Sequence, residues 1–384
     1  MPDVNEALFD AANRNQIFLI RFGGSSAKKI IKLLDEAEED LVGRIAARVD
    51  RLGPAARDTL GSKRLHAILE DIRKQNAELT SALMSQTRSD LIAVANQEIE
   101  IASARINEAV GVDLNNFRPP PEEVRTLVTK RGVAARTLRQ WFGRLGADRL
   151  GRLESAVNLG VIEGNTLQQI VRRFRDAENV TRRSAETLVR THVNHVGNQA
   201  RQALYEANSD IVDQLRWTAT LDGRTSHICR SRDGQVYELD EGPRPPAHPN
   251  CRSIMTPVLK PWKDLAKPGA LKPGRGARDI DRIFNKNLKK QGFKTGEIRK
   301  IKRNTRASMD GQVPGDLSYQ DWLKRQPVGF QREVLGPTKL KLFRDGNLSL
   351  DRFVDEPTGR GLTLAEIKSR NSEAWMSAGI NHDN

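Results

Sequence analysis

The stretch from Trp217 to Val258 constrains the fold more than any other part of the chain, because it interrupts a sequence that is otherwise patterned for helices. It reads WTATLDGRTSHICRSRDGQVYELDEGPRPPAHPNCRSIMTPV. Two DG dipeptides mark turns, and Thr225 or Ser226 can cap a short helix through Cys229. The strand candidates are Trp217–Leu221, Gln235–Tyr237 and Ile254–Val258. This order of elements can bring Cys229 and Cys251 close together although they are far apart in the sequence.

The same stretch contains the ligand types of a metal site. Cys229, His248 and Cys251 supply two thiolates and an imidazole, and a structural zinc takes four nitrogen or sulfur ligands. His227, Asp222 or a helix histidine could be the fourth. The alternative is a packed core, in which buried cysteines behave as small hydrophobic residues and the histidine caps the loop. A disulfide between the two cysteines is a third possibility, restricted to oxidised particles.

The residues around this cluster do not predict an enzyme. A nucleophilic cysteine needs a base and an oxyanion site, and no acyl-transfer signature surrounds Cys251, His248 and Asp222. His248 and Asn250 resemble a histidine-rich nuclease motif superficially, but a second metal ligand at suitable spacing is missing. Walker A, dinucleotide-binding and HExxH patterns are absent from the sequence. We therefore expect no catalytic residues, and no cofactor unless a structural zinc is bound.

Further residues of the stretch are expected to form its core. Either arginine beside the cluster can pair with Asp222, Asp233 or Glu238 and so fix the loops. The tryptophan anchors the small core. The residues assigned to this core are Trp217, Asp222, Arg224, Asp233, Gly234 and Arg252.

Residues 1–116 have the spacing of long amphipathic helices. One apolar stripe consists of Ile30, Leu34, Ala37, Leu41 and Ile45, and a second of Leu65, Ile68, Ile72, Leu79 and Leu83. Ser25 and Ser26 after Gly23–Gly24 are predicted helix starts, and Gly53–Pro54 is a stop. Such narrow stripes predict an antiparallel bundle or coiled coil that serves as a stalk or an oligomerisation module.

The chain on either side of the motif is also predicted to be helical. Pro119–Pro121 mark a boundary, because consecutive prolines cannot continue a helix. The helices predicted after it are Glu122–Lys130, Ala134–Leu145, Ala147–Leu159, Thr166–Asp176 and Thr181–Ala207. His192 and His195 share a face of the last one and could bind a metal or lie in a helix interface. Shorter helices are predicted after Ser318, at Gln331–Leu335 and Lys339–Arg344, and after the capping box that begins at Thr363.

The predicted fold class is mainly α with a small α+β motif domain. The long N-terminal helices form a bundle or coiled coil in residues 1–116. Helices lead into the motif domain in residues 117–258, with its core at 180–258. A basic linker or arm at 259–308 is followed by C-terminal helices at 309–372 and a frayed tail at 373–384.

The basic excess is concentrated in one segment. Residues 259–306 contain 16 Lys and Arg against 4 Asp and Glu, which accounts for most of the net charge of +14. Prolines and glycines limit regular structure there, so a solvated linker is one reading. The other is an arm that binds double-stranded DNA or an acidic partner. The residues assigned to it are Lys286, Lys289, Lys290, Lys294, Arg299, Lys300, Lys302 and Arg303.

The motif residues carry a family resemblance. The pattern W-x-A-T-L-D-x-R-T-S-x-x-C, then D-G and P-P-x-H-P-N-C-R-S, resembles the phage Mu protein F-like head-morphogenesis family of minor capsid proteins. The flanking segments extend this resemblance over roughly Phe117 to Ile367, apart from the basic interruption. Many relatives carry further cysteines where this chain has Ser226 and Ser253. The resemblance also implies that the C-terminal helices pack beside the motif domain.

The resemblance implies a minor head protein of a tailed phage or prophage. Such a protein acts in head morphogenesis by binding portal, major capsid or scaffold proteins, and it can travel with the DNA at ejection. It would lie in the virion, at the head interior or the portal vertex, and in the host cytoplasm during assembly. Self-association is expected, and membrane contact is not expected before ejection. The alternatives are a DNA-binding internal or ejection protein that uses the basic segment, and a metal-dependent enzyme on the Cys/His cluster.

Overall fold

The computed structural model describes residues 4–50, 62–110, 117–163, 165–265, 305–308, 311–314 and 317–380. Helices dominate these residues, and the sheets have two or three strands. The predicted fold class is therefore confirmed. The first five helices are α1 (Val4–Asp50), α2 (Ser62–Val110), α3 (Pro121–Thr129), α4 (Leu138–Ile162) and α5 (Leu167–Ala207).

The predicted apolar stripes are buried in a helical bundle. Ile30 and Leu34 of α1 are fully buried. Further along, one core is formed by residues from four helices, namely Leu41, Ile45, Ile68, Ile72, Leu153, Ala156, Val157, Ile170 and Phe174. The 3.6-residue period of each stripe places one face of each helix against this core.

Several predicted helix ends are wrong because tertiary packing overrides local breaking signals. Helix α1 runs through Gly23–Gly24, where burial of Ser26 and Ala27 outweighs the helix-propensity cost of about 1 kcal/mol for a glycine. Helix α4 runs through Gly146, because this glycine allows a close approach: a Cβ there would lie 2.5 Å from Thr80 Oγ1. The predicted break between Asp176 and Thr181 is likewise absent from α5.

The start of α4 is also later than predicted. Ala134 and Ala135 have φ of 48° and 60°, and Val133 pairs with Arg136 in an isolated β-bridge. This turn cannot be part of a helix, so α4 begins only after Thr137. The Thr137 hydroxyl accepts a hydrogen bond from the N–H of Gln140 at 3.3 Å, which is the usual role of a threonine cap.

The bundle contains a buried ion pair. Arg149 Nε donates to Glu178 Oε1 at 2.7 Å, and Arg149 Nη1 donates to Asn76 Oδ1 at 3.0 Å. Asn76 Nδ2 in turn donates to the carbonyl of Gly146 at 3.0 Å. Both charged side chains are almost fully buried. Because an isolated buried charge is costly, each partner requires the other.

The motif stretch forms a three-stranded antiparallel sheet. Its strands are β1 (Val212–Thr218), β2 (Val236–Glu238) and β3 (Ile254–Leu259), in the order β2-β1-β3. Helix α6 (His227–Arg232) lies between β1 and β2 in the chain. The predicted turns, the serine cap, β2 and β3 are confirmed. The first strand is earlier than predicted, because residues 219–221 leave the sheet and Leu221 joins the C-terminal core.

Short elements follow the motif. They are α7 (Trp262–Leu265), β4 (Thr305–Ser308), β5 (Gly311–Pro314), α8 (Tyr319–Arg325), α9 (Val328–Leu335), α10 (Pro337–Arg344), a 3₁₀ turn (Leu350–Phe353), β6 (Val354–Asp355), β7 (Arg360–Gly361), α11 (Leu364–Arg370) and α12 (Ser372–Ser377). Ser318 caps α8, and the predicted capping box of Thr363 and Glu366 opens α11. Their shared core is centred on Trp322, Tyr319, Leu342 and Ile367.

The end of the described chain differs from the predicted frayed tail. Residues 373–377 continue α12, and Trp375 and Ala378 are buried against the C-terminal core. A single tryptophan provides enough apolar area to fix such a short helix. Residues 381–384 lie outside the described part of the chain.

The backbone divides into two compact units. One contains Met1–Phe18, Glu98–Pro119 and Arg201–Asn384, and the other contains Leu19–Gln97 and Pro120–Ala200. The long helices α1, α2 and α5 contribute residues to both. The predicted segment boundaries stay predictions. Among the helices that the structure describes, none combines the length and hydrophobicity that a bilayer crossing requires.

Candidate functional site

One loop and a short helix bring the predicted cluster together. Cys229 lies in the first turn of α6, where its N–H donates to the hydroxyl of Ser226 at 3.4 Å. His248 and Cys251 lie in the proline-rich loop that precedes β3. The N–H of Cys251 donates to the carbonyl of His248 at 3.2 Å, and Asn250 between them has a left-handed φ of 57°. Asparagine tolerates this conformation better than most residues, so the tight turn places both side chains on one side.

The three predicted ligands lie close together. Cys229 Sγ is 3.7 Å from Cys251 Sγ and 3.3 Å from His248 Nε2. All three donor atoms lie within 4.8 Å of one another. Both cysteines are buried free thiols, and His248 is half-buried. The prediction that the two cysteines meet is therefore confirmed.

The hydrogen bonds of this cluster shift the pKa values of its three side chains. The hydrogen bond from Cys229, with further help from His248, holds the pKa of the Cys251 thiol well below its usual range despite burial. The same bond, together with burial, raises the pKa of the Cys229 thiol. The pKa of His248 is raised by its hydrogen bond to Cys251. Chemically, the cluster favours a thiolate on Cys251, which is the form that binds metals.

The tentative fourth ligand, His227, is not part of this group among the described residues. It is exposed and lies beside Gly361 of β7. Asp222 is occupied by arginine contacts, described below. The helix histidines are also separate. His192 Nδ1 bonds to the carbonyl of Leu188 at 2.9 Å, and its ring packs edge-on against Trp141.

Asp222 and Arg252 form the strongest polar contact of the motif. Arg252 Nη1 and Nη2 donate to the two carboxylate oxygens of Asp222 at 2.5 and 2.7 Å. Arg224, the other candidate, is 85% exposed and approaches the same carboxylate only to 3.7 Å. Burial raises the pKa of Asp222, but the hydrogen bonds and charge of Arg252 outweigh it and keep this pKa below its usual value. Of the two arginines considered, Arg252 therefore fixes the loop.

Asp233, one of the three carboxylates considered as arginine partners, accepts hydrogen bonds from two backbone N–H groups. Its Oδ1 accepts from the N–H of Ala219 at 2.8 Å, and its Oδ2 accepts from the N–H of Tyr319 at 2.8 Å. One carboxylate thus joins the end of β1 to the start of α8. Gly234, with φ of 83°, completes the predicted turn.

Three contributors were missed by the sequence analysis. Arg230 donates to the carbonyls of Gly223 and Val334 at 2.9 and 3.1 Å. Tyr319 donates its hydroxyl to the carbonyl of Asp222 at 2.9 Å. Gln16 of α1 donates to the carbonyl of Arg252 at 2.7 Å. These bonds join distant parts of the chain, and no local spacing in the sequence signals them.

Trp217 belongs to the core as predicted. It is fully buried in β1, opposite Met255 of β3. Its backbone bonds to Gln235 and Gly234, and the guanidinium of Arg232 lies 5.3 Å from its ring centroid. The four side chains of Trp217, Cys229, His248 and Cys251 are thus held by the same small sheet and its loops.

The sequence comparisons cover the segment that contains this site. Residues 152–256 match the family model described as Phage Mu protein F like protein. Over this segment the chain is similar to the Mu F-like family. The match confirms the predicted family, although it is narrower than the predicted range from Phe117 to Ile367.

Two curated relatives match parts of the chain that are longer than the family segment. An uncharacterized protein of Haemophilus influenzae is 23% identical over 173 residues, which is 43% of this chain and 37% of that protein. Minor head protein GP7 of Bacillus phage SPP1 is 23% identical over 172 residues, which is 44% of this chain and 56% of that protein. The chain thus aligns with about a third to a half of these relatives. No solved structure gives a significant match.

The Mu F-like segment contains the cysteine and histidine cluster and the Asp222–Arg252 pair, but not all the groups that hold them. Tyr319 and Val334, which bond to the segment, lie beyond it. The eight basic residues assigned to the arm also lie beyond it and outside the described residues.

Proposed function

We propose that the chain is a minor head protein of a tailed phage or prophage, and that it acts by binding other head components. The observation that carries this proposal is the Mu F-like match at residues 152–256, together with the similarity to a phage minor head protein. The proposed location is the virion, at the head interior or the portal vertex, after assembly in the host cytoplasm.

The chemistry of the motif supports binding more than turnover. The side chains of Asp222, Arg252, Asp233 and Arg230 hold neighbouring loops and backbone groups. A catalytic group must instead face a substrate and be free to exchange protons with it. Charged side chains that bond to the protein's own loops hold those loops in a fixed shape. A protein-binding surface needs such a preorganised shape.

The proposed partners are the portal protein and the major capsid or scaffold proteins, with self-association through the long helices. Coexpression with each head protein and affinity purification tests this proposal. We expect the chain to copurify with at least one of them and to be present in purified heads. Absence from both the complexes and the heads would refute the proposal.

A matched pair of variants sharpens this test. Arg252→Met breaks the bidentate contact that fixes the motif loop, whereas Arg224→Met removes an exposed arginine near the same carboxylate. If the motif loop carries the binding surface, incorporation into heads should fall for Arg252→Met and stay unchanged for Arg224→Met. Circular dichroism of both variants separates loss of binding from loss of folding.

The basic segment favours a second function, in which the chain binds packaged or ejected DNA. A net charge near +12 in residues 259–306 provides enough cations for phosphate contacts. Each contact releases counterion, so the logarithm of affinity should fall with the logarithm of salt with a slope of about −0.9 per phosphate contacted.

A variant that lowers the net charge of residues 259–306 from +12 to +4 separates the two functions. It replaces the eight basic residues with glutamine, namely Lys286, Lys289, Lys290, Lys294, Arg299, Lys300, Lys302 and Arg303. If the segment binds DNA, retention on double-stranded DNA should be lost while incorporation into heads is kept. If the segment docks on an acidic protein surface, incorporation should be lost. Retention of both would identify it as a linker.

A further inference from the structure

We propose that Cys229, His248 and Cys251 bind a Zn²⁺ ion that crosslinks α6 to the loop preceding β3. The basis is the geometry of the three donor atoms. The inference does not depend on the proposed function, because it is tested on the purified chain alone.

The donor separations fit a tetrahedral zinc site. Bonds of about 2.3 Å to sulfur and about 2.0–2.1 Å to nitrogen place two sulfurs about 3.8 Å apart and sulfur about 3.6 Å from nitrogen. The observed separations are 3.7 Å for the two sulfurs and 3.3 Å from Cys229 Sγ to His248 Nε2. These two pairs therefore require shifts of only about 0.3 Å to bind a Zn²⁺ ion, and the third pair, Cys251 Sγ and His248 Nε2, lies within 4.8 Å.

The histidine is oriented as a metal ligand requires. Its Nδ1 lies 2.8 Å from the carbonyl oxygen of Pro249. A carbonyl oxygen can only accept a hydrogen bond, so Nδ1 must carry the hydrogen. This bond places the hydrogen of the neutral ring on Nδ1 and leaves the lone pair of Nε2 directed at the sulfur of Cys229. Metal-bound histidines commonly use such a backbone carbonyl to fix the tautomer and the ring plane.

The position of the three ligands explains what the ion would do. Residues 239–253 form no helix or strand, yet this loop must carry His248 and Cys251 to the sheet. Cys229 is anchored separately on α6. One ion bound by Cys229 and by the two loop residues would hold the loop against α6. The loop has no helix or sheet hydrogen bonds of its own to fix it there.

The fourth position is assigned to water. Among the described residues, no further histidine, cysteine or carboxylate joins the group. His248 is half-buried, so solvent can reach the histidine side of the cluster. The inferred role of the ion is to hold α6 and the loop together, because its ligands come from both elements.

Metal analysis of the full-length chain tests the site directly. We expect about one zinc per chain after purification in reducing buffer with added Zn²⁺, because structural zinc sites bind tightly. Cys251→Ser and His248→Ala should each weaken Zn²⁺ binding by at least about 100-fold. The control is His227→Ala, which removes the neighbouring histidine outside the group and should leave the zinc content unchanged. A wild-type chain without zinc, or loss of zinc in the control, would overturn the assignment.

Two spectroscopic measurements do not depend on how the variants fold. Co²⁺ added to the wild-type chain should give thiolate charge-transfer bands and the d–d bands of a tetrahedral site. Azide should shift the d–d bands if water holds the fourth position, whereas unchanged bands would refute that part. Titration of the denatured chain in EDTA should find two free thiols. Finding none would establish a disulfide in place of the site.

Discussion

The unequal roles of two arginines around Asp222 give the sharpest stability prediction. Arg252 contacts the carboxylate with two short bonds, and the exposed fractions of the two side chains are 21% and 15%. Arg224 is 3.7 Å from the same carboxylate and 85% exposed. Arg252→Met and Arg224→Met therefore remove the same charge from the same partner at very different burial.

The expected magnitudes follow from that burial. An exposed ion pair contributes about 0–1 kcal/mol, and breaking a fully buried one costs about 3–5 kcal/mol. The Asp222–Arg252 pair lies between these limits, so Arg252→Met should lower the free energy of unfolding by about 2–3 kcal/mol. Arg224→Met should lower it by less than about 0.5 kcal/mol. Since methionine keeps much of the side-chain volume, lost packing contributes little.

Urea unfolding followed by tryptophan fluorescence measures both variants. Four of the five tryptophans, at positions 217, 262, 322 and 375, belong to the unit that contains the pair. Equal losses of stability in the two variants would refute the assignment of Arg252 as the fixing residue.

Acid supplies an independent check on the same pair. The folded-state pKa of Asp222 is lowered, so its ion pair stabilises the fold above the unfolded pKa of about 3.9 and is lost as pH falls through the folded value. The stability difference between Arg252→Met and the wild type should therefore shrink below about pH 4. A difference that stays constant down to pH 2 would show that the pair is not its cause.

Three further predictions follow from other buried or half-buried polar groups. Asp233→Ala leaves two backbone N–H groups without their acceptor, so it should lower the free energy of unfolding by about 2–4 kcal/mol. Asp233→Asn should lower it by roughly half as much. The same urea assay measures both variants. Arg149→Met should lower the free energy of unfolding by about 3–5 kcal/mol, because it leaves the charge of Glu178 buried without a partner. Adding Glu178→Leu should restore most of this stability. Additive losses in the double variant would show that the two residues are not coupled. His195 is buried with a pKa lowered to about 4, by burial and by the neighbouring charges of His192 and Arg131. Because its folded pKa lies below the unfolded value of about 6.5, His195 should lower wild-type stability by about 2 kcal/mol from pH 7 to pH 5. His195→Gln should reduce the loss by that amount, while buried His192, whose pKa is also lowered by burial, keeps part of the dependence.

Local patterns predicted the elements of the motif well. The DG turns, the cap of Ser226, the capping box of Thr363 and the strand Ile254–Leu259 each depend on residues a few positions apart. The meeting of Cys229 with Cys251 also follows from the order of these turns. These features could be read from the chain because short-range sterics and hydrogen bonding determine them.

The errors lie where distant residues decide the outcome. Gly146 looks like a helix stop, but its missing side chain makes room for Thr80. Glu178 looks like part of a polar break, but Arg149 pairs with it inside the bundle. In both cases a local signal worth about 1 kcal/mol competes with burial that contributes more.

The sequence by itself determined the helical class, the apolar stripes and the turns of the motif, and it indicated that Cys229 and Cys251 meet. Periodicity and local backbone preference are properties of neighbouring residues, and these features need nothing else. Only the tertiary structure decided that Arg252 rather than Arg224 holds Asp222, and that Asp233 accepts a hydrogen bond from the N–H of Tyr319 at the start of α8. It also decided that His227 stays apart from the cysteines. Such choices depend on which groups packing brings within hydrogen-bond distance and shields from water, and no spacing along the chain encodes that.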